Sequence, residues 1–345
     1  MARTMIGRPG KSRRPTGRRT SATLIGTRIR LEFGVLLLLA TMGAHDARAL
    51  DVLFPAYANP CCGGGPAMWA ALISTAATPA RPFGLHVVFN PASGPGVAVD
   101  PNYVDANGLG PLPDLRAAGA VVYGYVTTGY GARAAADVLA DIDAYLVGHY
   151  AGRVDGIFFD EVSSDLAQVG ANRTYVARVQ AQEPGARTIG NPGITAIQNP
   201  SGQTTWTAAD YAAVFDVLVT FEQTGAEYRS SYSPPVYLAA RPASGFAHLI
   251  HSDGPFDPTL LALAASRKAG LVFVSDDVMP NPYDLLPSYW AVFVAAITAF
   301  DAAPVPTASP LARVALGLAV LVVGARASRA RRSPFRSPSD RRRPR

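Results

Sequence analysis

Residues 154–161 read Val-Asp-Gly-Ile-Phe-Phe-Asp-Glu. The apolar run Ile157-Phe158-Phe159 ends directly on two carboxylates, Asp160 and Glu161. A short apolar run without helical spacing reads as a strand buried on both faces, as in a parallel sheet. Acids at the C-terminal end of such a strand stand where a parallel α/β barrel assembles its active site. The run Val217-Leu218-Val219-Thr220-Phe221-Glu222 repeats the layout. Two strands that each end in a carboxylate suggest an acid working with a base or nucleophile. The competing reading, helix N-caps or ion-pair partners, suffices for one such strand and weakens when the pattern occurs twice.

Outward from these two strands, short apolar runs recur between residues 51 and 290. Eight are read: Val52–Tyr57, Leu85–Asn90, Val121–Val126, Gly156–Asp160, Thr188–Asn191, Val217–Glu222, Ala247–His251 and Leu271–Ser275. Between them lie helical stretches at Ala67–Ser74, Pro113–Ala118, Ala134–Tyr150, Tyr175–Gln182, Thr207–Phe215 and Pro258–Lys268, with only a weak helix near Tyr228. Strands alternating with helices on this scale fit an α/β fold, a single-domain (β/α)8 TIM barrel. The alternative, an open doubly wound sheet, ordinarily carries a spaced Gly-rich phosphate turn after its first strand. Cys62-Gly63-Gly64-Gly65 lacks that spacing and reads as a flexible βα loop.

In a barrel, one face would collect Tyr57, Asn59, Asn90, Thr127, Tyr130, Asp160, Glu161, Asn191, Glu222, His251, Asp276 and Asp277. The opposite ends of the same runs are bland. The asymmetry predicts a polar cleft whose tyrosines offer apolar faces to sugar rings and whose Asn and Asp side chains bond hydroxyls. For each residue alone, a loop or capping role is the simpler reading. Other chemistries fit less well. No Gly-x-Ser-x-Gly elbow is present, and His86, His149, His248 and His251 are scattered rather than clustered for a metal. Asp276-Asp277 is a thin basis for a cation site. A metal-dependent hydrolase using Asp276, Asp277 and His251 stays as a minor alternative, and no metal or cofactor is expected.

The formal net charge of +6 misleads. The first 30 residues hold nine Lys or Arg and no acid, and residues 311–345 hold ten Arg. Residues 50–310 hold 11 basic and 22 acidic residues, a net charge of −11. That balance repels phosphate and argues against nucleic acid as a partner. The basic ends read instead as topology signals. Residues 1–49 look like a basic leader and signal peptide, with the apolar core Val35–Ala40 followed by Ala47-Arg48-Ala49, a cleavage site that would leave Leu50 first. After a barrel over 50–300, residues 301–310 form a Pro-rich linker, 311–325 an apolar helix broken only by Arg313, and 326–345 an Arg-rich tail. An apolar helix followed by arginines predicts a membrane-anchored C-terminus whose tail stays cytoplasmic. Residues 304–332 together resemble the PEP-CTERM class of bacterial sorting tails. The expected protein is therefore exported, held at the membrane or cell surface, with a sorting protease as a further partner. The two cysteines, Cys61-Cys62, are adjacent and read as a pair of loop thiols rather than a disulfide framework, with a vicinal disulfide or an intermolecular bond as the alternatives.

Across residues 51–290 the ordered stretches resemble one known family. They are Phe54-Pro55-Ala56-Tyr57, Phe89-Asn90-Pro91-Ala92-Ser93-Gly94-Pro95-Gly96, and Gly124-Tyr125-Val126-Thr127-Thr128-Gly129-Tyr130-Gly131 with Arg133. Then come Asp155–Glu161, Asn191-Pro192-Gly193, Phe221-Glu222, His248–His251, and Asp276-Asp277 with Asn281-Pro282-Tyr283-Asp284. In this the chain resembles the spherulation-specific family 4, or spherulin-4-like, proteins. The resemblance implies a glycoside-hydrolase barrel acting on N-acetylgalactosamine-containing polysaccharide, with its functional acids on Asp160, Glu161 and Glu222. The expected substrate-binding residues are Tyr57, Asn90, Tyr125, Tyr130, Asn191, His251 and Asp276. Asp160 is read as nucleophile or stabiliser, Glu222 as acid/base and Glu161 as a supporting carboxylate, with the first two roles open to exchange. The loop Cys61–Gly65 and the insert Gln198–Trp206 depart from the family pattern. A non-catalytic carbohydrate-binding or matrix protein on the same barrel is the alternative function.

Overall fold

The structure of the protein, a computed structural model, describes residues 50–193, 197–198, 204–205 and 212–302. The expected leader, most of the linker, the apolar helix 311–325 and the Arg-rich tail lie outside the described residues. So does most of the helix expected at Thr207–Phe215. Among the described residues no helix is long and apolar enough to cross a membrane.

Eight parallel strands close into a barrel. They are β1 (Asp51–Ala56), β2 (Leu85–Phe89), β3 (Val121–Thr127), β4 (Gly156–Asp160), β5 (Arg187–Gly190), β8 (Val217–Thr224), β9 (Phe246–His251) and β10 (Leu271–Val274). Each pairs with its neighbours in chain order, and β10 returns to β1 through Asp51↔Leu271 and Val52↔Val272. The (β/α)8 reading of the sequence holds. A two-residue antiparallel ladder, β6 (Ile197–Gln198) with β7 (Thr204–Thr205), lies in the insert that the sequence marks as a departure.

The strands read as continuous apolar runs because both of their faces are covered. β2, β9 and β10 are buried at every residue. Helices dock outside: α1 (Gly65–Ala76), α2 (Pro111–Ala117), α3 (Ala135–Leu146), α4 (Val169–Gln182), α5 (Gly225–Ser230), α6 (Thr259–Ser266) and α7 (Trp290–Ala302). Two glycines let helix-side rings approach the barrel wall. A Cβ on Gly124 would stand 2.6 Å from the Tyr145 ring of α3, and one on Gly190 would stand 2.3 Å from the Phe215 ring. Helix α5 is firmer than the weak helix expected near Tyr228. Thr224 and Glu227 form a reciprocal capping box that satisfies its first backbone donors. The last helix, α7, has no counterpart among the helices read from sequence. It carries Asp301 and Ala302, so the chain is helical where the Pro-rich linker was expected to begin.

Two further polar clusters, one at the N-terminal rim and one in the buried barrel wall, lie apart from the carboxylates of the C-terminal rim. Asp51 accepts from the Gly84 amide at 2.5 Å and meets His86 Nε2 at 3.5 Å. His248 is fully buried, bonded to the Tyr228, Tyr232 and Thr220 hydroxyls, and burial lowers its pKa to about 3. It is a neutral core histidine.

Candidate active site

At the C-terminal rim two carboxylates converge on one amide. Asp160, the last residue of β4, and Glu222, on β8, both accept from Asn191 Nδ2, at 2.9 and 2.7 Å. Asn191 follows β5, which lies between those two strands, so consecutive barrel positions supply acid, bridge and acid. The bridge is itself fixed: its amide N donates to Phe159 O at 2.8 Å, its carbonyl accepts from Val162 N at 2.9 Å, and its Oδ1 accepts from Gly193 N at 3.0 Å. Both hydrogens of one buried amide are thus committed to the acid pair.

Each acid has a tyrosine on its remaining oxygen. The Tyr125 hydroxyl donates to Asp160 Oδ2 at 2.8 Å, and the Tyr283 hydroxyl donates to Glu222 Oε1 at 2.6 Å. Tyr57 packs edge-on against both rings, with centroids 5.5 Å from Tyr125 and 5.6 Å from Tyr283. Burial, reinforced by the neighbouring carboxylate charges, raises all three phenols above their ordinary value. They therefore stay protonated, and Tyr125 and Tyr283 act as donors to the acids. Burial also raises Asp160, with the charge of Glu222 adding to it and the Tyr125 hydrogen bond opposing it, to about 7. Two carboxylates this close resist full ionisation, and the protonation of one is set by the other.

Glu161 is aimed differently. Its φ of +50° lies in the left-handed region, where a non-glycine residue is strained. The strain is held by its neighbours: its carbonyl accepts from Tyr130 N at 2.6 Å and from Thr128 Oγ1 at 2.7 Å, and its carboxylate accepts from Thr127 Oγ1 at 2.5 Å. The backbone turn lets adjacent acids diverge, which a regular strand end would also do but without this anchoring. Tyr130, itself at φ +53°, is 61% exposed. Burial and the charges of Glu161, Asp160 and Glu222 raise its phenol, which places it beside the same acids. His251 is buried, contacts Ser252 Oγ at 3.0 Å, and has its pKa lowered by burial against the opposing charge of Glu222.

Two residues read as substrate-binding from sequence make loop contacts. Asn90 Oδ1 accepts from the Gly94 amide at 3.1 Å, closing the turn after β2. Asp276 accepts from both the backbone N and the hydroxyl of Ser288, which ties down the loop after β10. Short polar side chains beside Gly and Pro bond local backbone readily, which is why their loop role competes with a binding role. The sequence reading left out Tyr283. The only signal was its place in Asn281-Pro282-Tyr283-Asp284 after the last strand, and its partner Glu222 is 61 positions away. Cys61 and Cys62 are joined by a disulfide between neighbours, the vicinal alternative rather than the two loop thiols favoured from sequence. Among the described residues no group of three or more His, Cys, Asp or Glu is arranged to hold a metal.

A closed parallel barrel with paired, tyrosine-held acids at its C-terminal rim has the architecture of a glycoside-hydrolase-like TIM barrel. The family model described as spherulation-specific family 4 matches residues 51–297, and the chain belongs to that family. It is 28% identical over 269 residues to Spherulin-4 of Physarum polycephalum, covering 75% of this chain and 73% of that one. Its fold is similar to that of Aspergillus clavatus Sph3, whose crystal structure is in complex with GalNAc. The TM-score is 0.57 at 24% identity, over 73% of this chain and 98% of that one.

Proposed function

We propose that the protein is an exported endo-glycoside hydrolase that cleaves a polysaccharide containing N-acetylgalactosamine or galactosamine. The observation that carries the reading is the Asn191 amide shared by Asp160 and Glu222. Two carboxyls held close together are what protonation of a leaving oxygen and attack at C1 require. Asp160, raised to about 7, suits the proton carrier, and Glu222 suits the carboxylate that attacks the anomeric carbon. This exchanges the roles that the sequence alone suggests. Glu161, Tyr57, Tyr130 and His251 would hold the sugar around the pair. The GalNAc named with Aspergillus clavatus Sph3 supports the choice of sugar. The apolar segment 311–325 would hold the enzyme at the membrane until sorting.

The nearest oxygens of the pair cannot be farther apart than the two bonds to Asn191 laid end to end, about 5.6 Å, which favours the retaining class at ~5–5.5 Å over the inverting class at ~6.5–9.5 Å. The protein should release oligosaccharides from a galactosamine polymer. With an activated aryl glycoside, azide should rescue Glu222→Ala to the glycosyl azide of inverted configuration and Asp160→Ala to that of retained configuration. The opposite pairing would restore the sequence-based roles. Tight binding of the polymers with no product from any of them would favour the non-catalytic carbohydrate-binding alternative.

A further inference from the structure

The first and last described elements of the barrel meet at a carboxylate with an unmet need. The Leu50 backbone N donates to Asp301 Oδ1 at 3.0 Å, across 251 positions of sequence. Leu50 has its side chain fully buried in the core, and the next residue, Asp51, opens β1 with its N bonded to Gly270 O at 2.8 Å. The other Asp301 oxygen, Oδ2, is buried and has no hydrogen-bond partner among the described residues. Asp301 is also near a second carboxylate, Asp51. Burial, with the charge of Asp51 adding to it, raises Asp301 to about 6 despite the Leu50 bond. The groups around Asp51 are the Gly84 amide, His86 and Arg187, with Arg81 feeling its charge. A buried carboxylate oxygen left unpaired is costly, and a backbone amide brings only one hydrogen to it.

The sequence offers the missing donor at that atom. Ala47-Arg48-Ala49 precedes Leu50, with small residues at the first and third positions before it. An endopeptidase that reads small-x-small would hydrolyse the Ala49–Leu50 bond. Water adds across the C–N bond, leaving a carboxylate on Ala49 and an α-amine on Leu50 that takes up a proton. The amide nitrogen that now gives Asp301 one hydrogen would become an ammonium with three and a positive charge. We infer that the chain is cut between Ala49 and Leu50 and that the new α-ammonium of Leu50 pairs with Asp301, locking the start of β1 to the end of α7. The cut supplies both the second hydrogen bond and the counter-charge that Asp301 lacks among the described residues. This inference is independent of the hydrolase reading, since neither of its tests depends on turnover.

The test begins with the full chain produced in a bacterium that exports it. Peptide mass spectrometry of the recovered protein should find Leu50 as the first residue. The α-amine is then titrated by reductive dimethylation across pH, again read by mass spectrometry. Its midpoint should lie at least one unit above the ordinary ~7.7–8.0, which means about tenfold less reactive amine at neutral pH. Asp301→Asn, which keeps the shape and one acceptor, should return the midpoint toward the ordinary value. A first residue other than Leu50 would overturn the proposal, as would an ordinary midpoint in the wild type. A raised midpoint that Asp301→Asn leaves unchanged would also overturn it, because burial alone would then protect the amine. If the variant does not fold, the wild-type N-terminus and midpoint decide by themselves.

Discussion

Asp160 concentrates the conflict between stability and chemistry in a single side chain. Its folded-state pKa of about 7 lies above the 3.8 of the free group. The sign follows from linkage: the folded form binds the proton more tightly, so this group favours the fold fully below its unfolded pKa. That contribution is lost as pH rises through about 7, when a buried charge forms next to Glu222. Asp160→Asn removes the charge and keeps the volume. Its melting temperature should therefore exceed that of the wild type at pH 8 and match it near pH 4. Hydrolysis should fall by at least ~10²–10⁴-fold, the usual contribution of a positioned proton carrier. A melting curve with no pH-dependent difference between the two proteins would show that Asp160 is not held protonated by its surroundings. A gain in stability on loss of a functional group is the expected trade at an active site.

At the level of elements, the helices are set by how closely they approach the wall, and glycines decide where that approach is closest. Gly124, within β3, faces the buried ring of Tyr145 in α3, and Gly124→Ala would put a methyl 2.6 Å from it. The Tyr145 ring is fully buried, so overpacking should cost about 1–3 kcal/mol. At about 2–4 °C per kcal/mol for a domain of this size, the shift is well within reach of a melting curve. Gly170, in the first turn of α4, gives the opposite case: a Cβ there would meet nothing within 4 Å. Gly170→Ala should raise stability by about 0.5–1 kcal/mol by restricting the unfolded chain. Equal effects of the two substitutions would mean that Tyr145 does not pack on Gly124 in solution. The contrast shows why glycine identity alone does not reveal its role in a barrel: both glycines sit inside regular elements, and only the neighbour across the layer separates them.

For the molecule as a whole the charge distribution matters most. Residues 50–310 carry 22 acidic and 11 basic side chains. A field of that sign attracts cations, and partly deacetylated galactosamine polymers are polycations. If the charge serves binding, cleavage should be faster on partly deacetylated than on fully acetylated polymer. The preference should fade with salt as the screening length shrinks from ~10 Å at 0.1 M to ~3 Å at 1 M. Rates that ignore both acetylation and salt would assign the acidity to solubility alone. Comparing one polymer at several degrees of acetylation, at low and high salt, makes the measurement.

The eight strands and the acids toward the C-terminal ends of two of them were legible from the chain itself, although β8 runs two residues beyond Glu222, to Thr224. Ile157-Phe158-Phe159-Asp160-Glu161 and Val217–Glu222 show both properties at once, because a strand buried on both faces must be apolar along its length and can turn polar only where it emerges. The same logic brought Asn191 and Tyr57 to the right rim. It could not separate Asn191, which spans the acid pair, from Asn90, which closes a turn, since both follow a strand and carry the same amide. Nor could it find Tyr283, whose hydroxyl reaches Glu222 from a loop with no periodicity of its own. Asp301 is a further case: in sequence it stands at the edge of a Pro-rich stretch, yet in space it bonds the first residue of the fold. Local pattern determines which residues are buried and where strands end, because burial acts on each element separately. Which polar groups meet is decided only when the barrel closes, because closure sets side chains from distant segments within one hydrogen bond of each other.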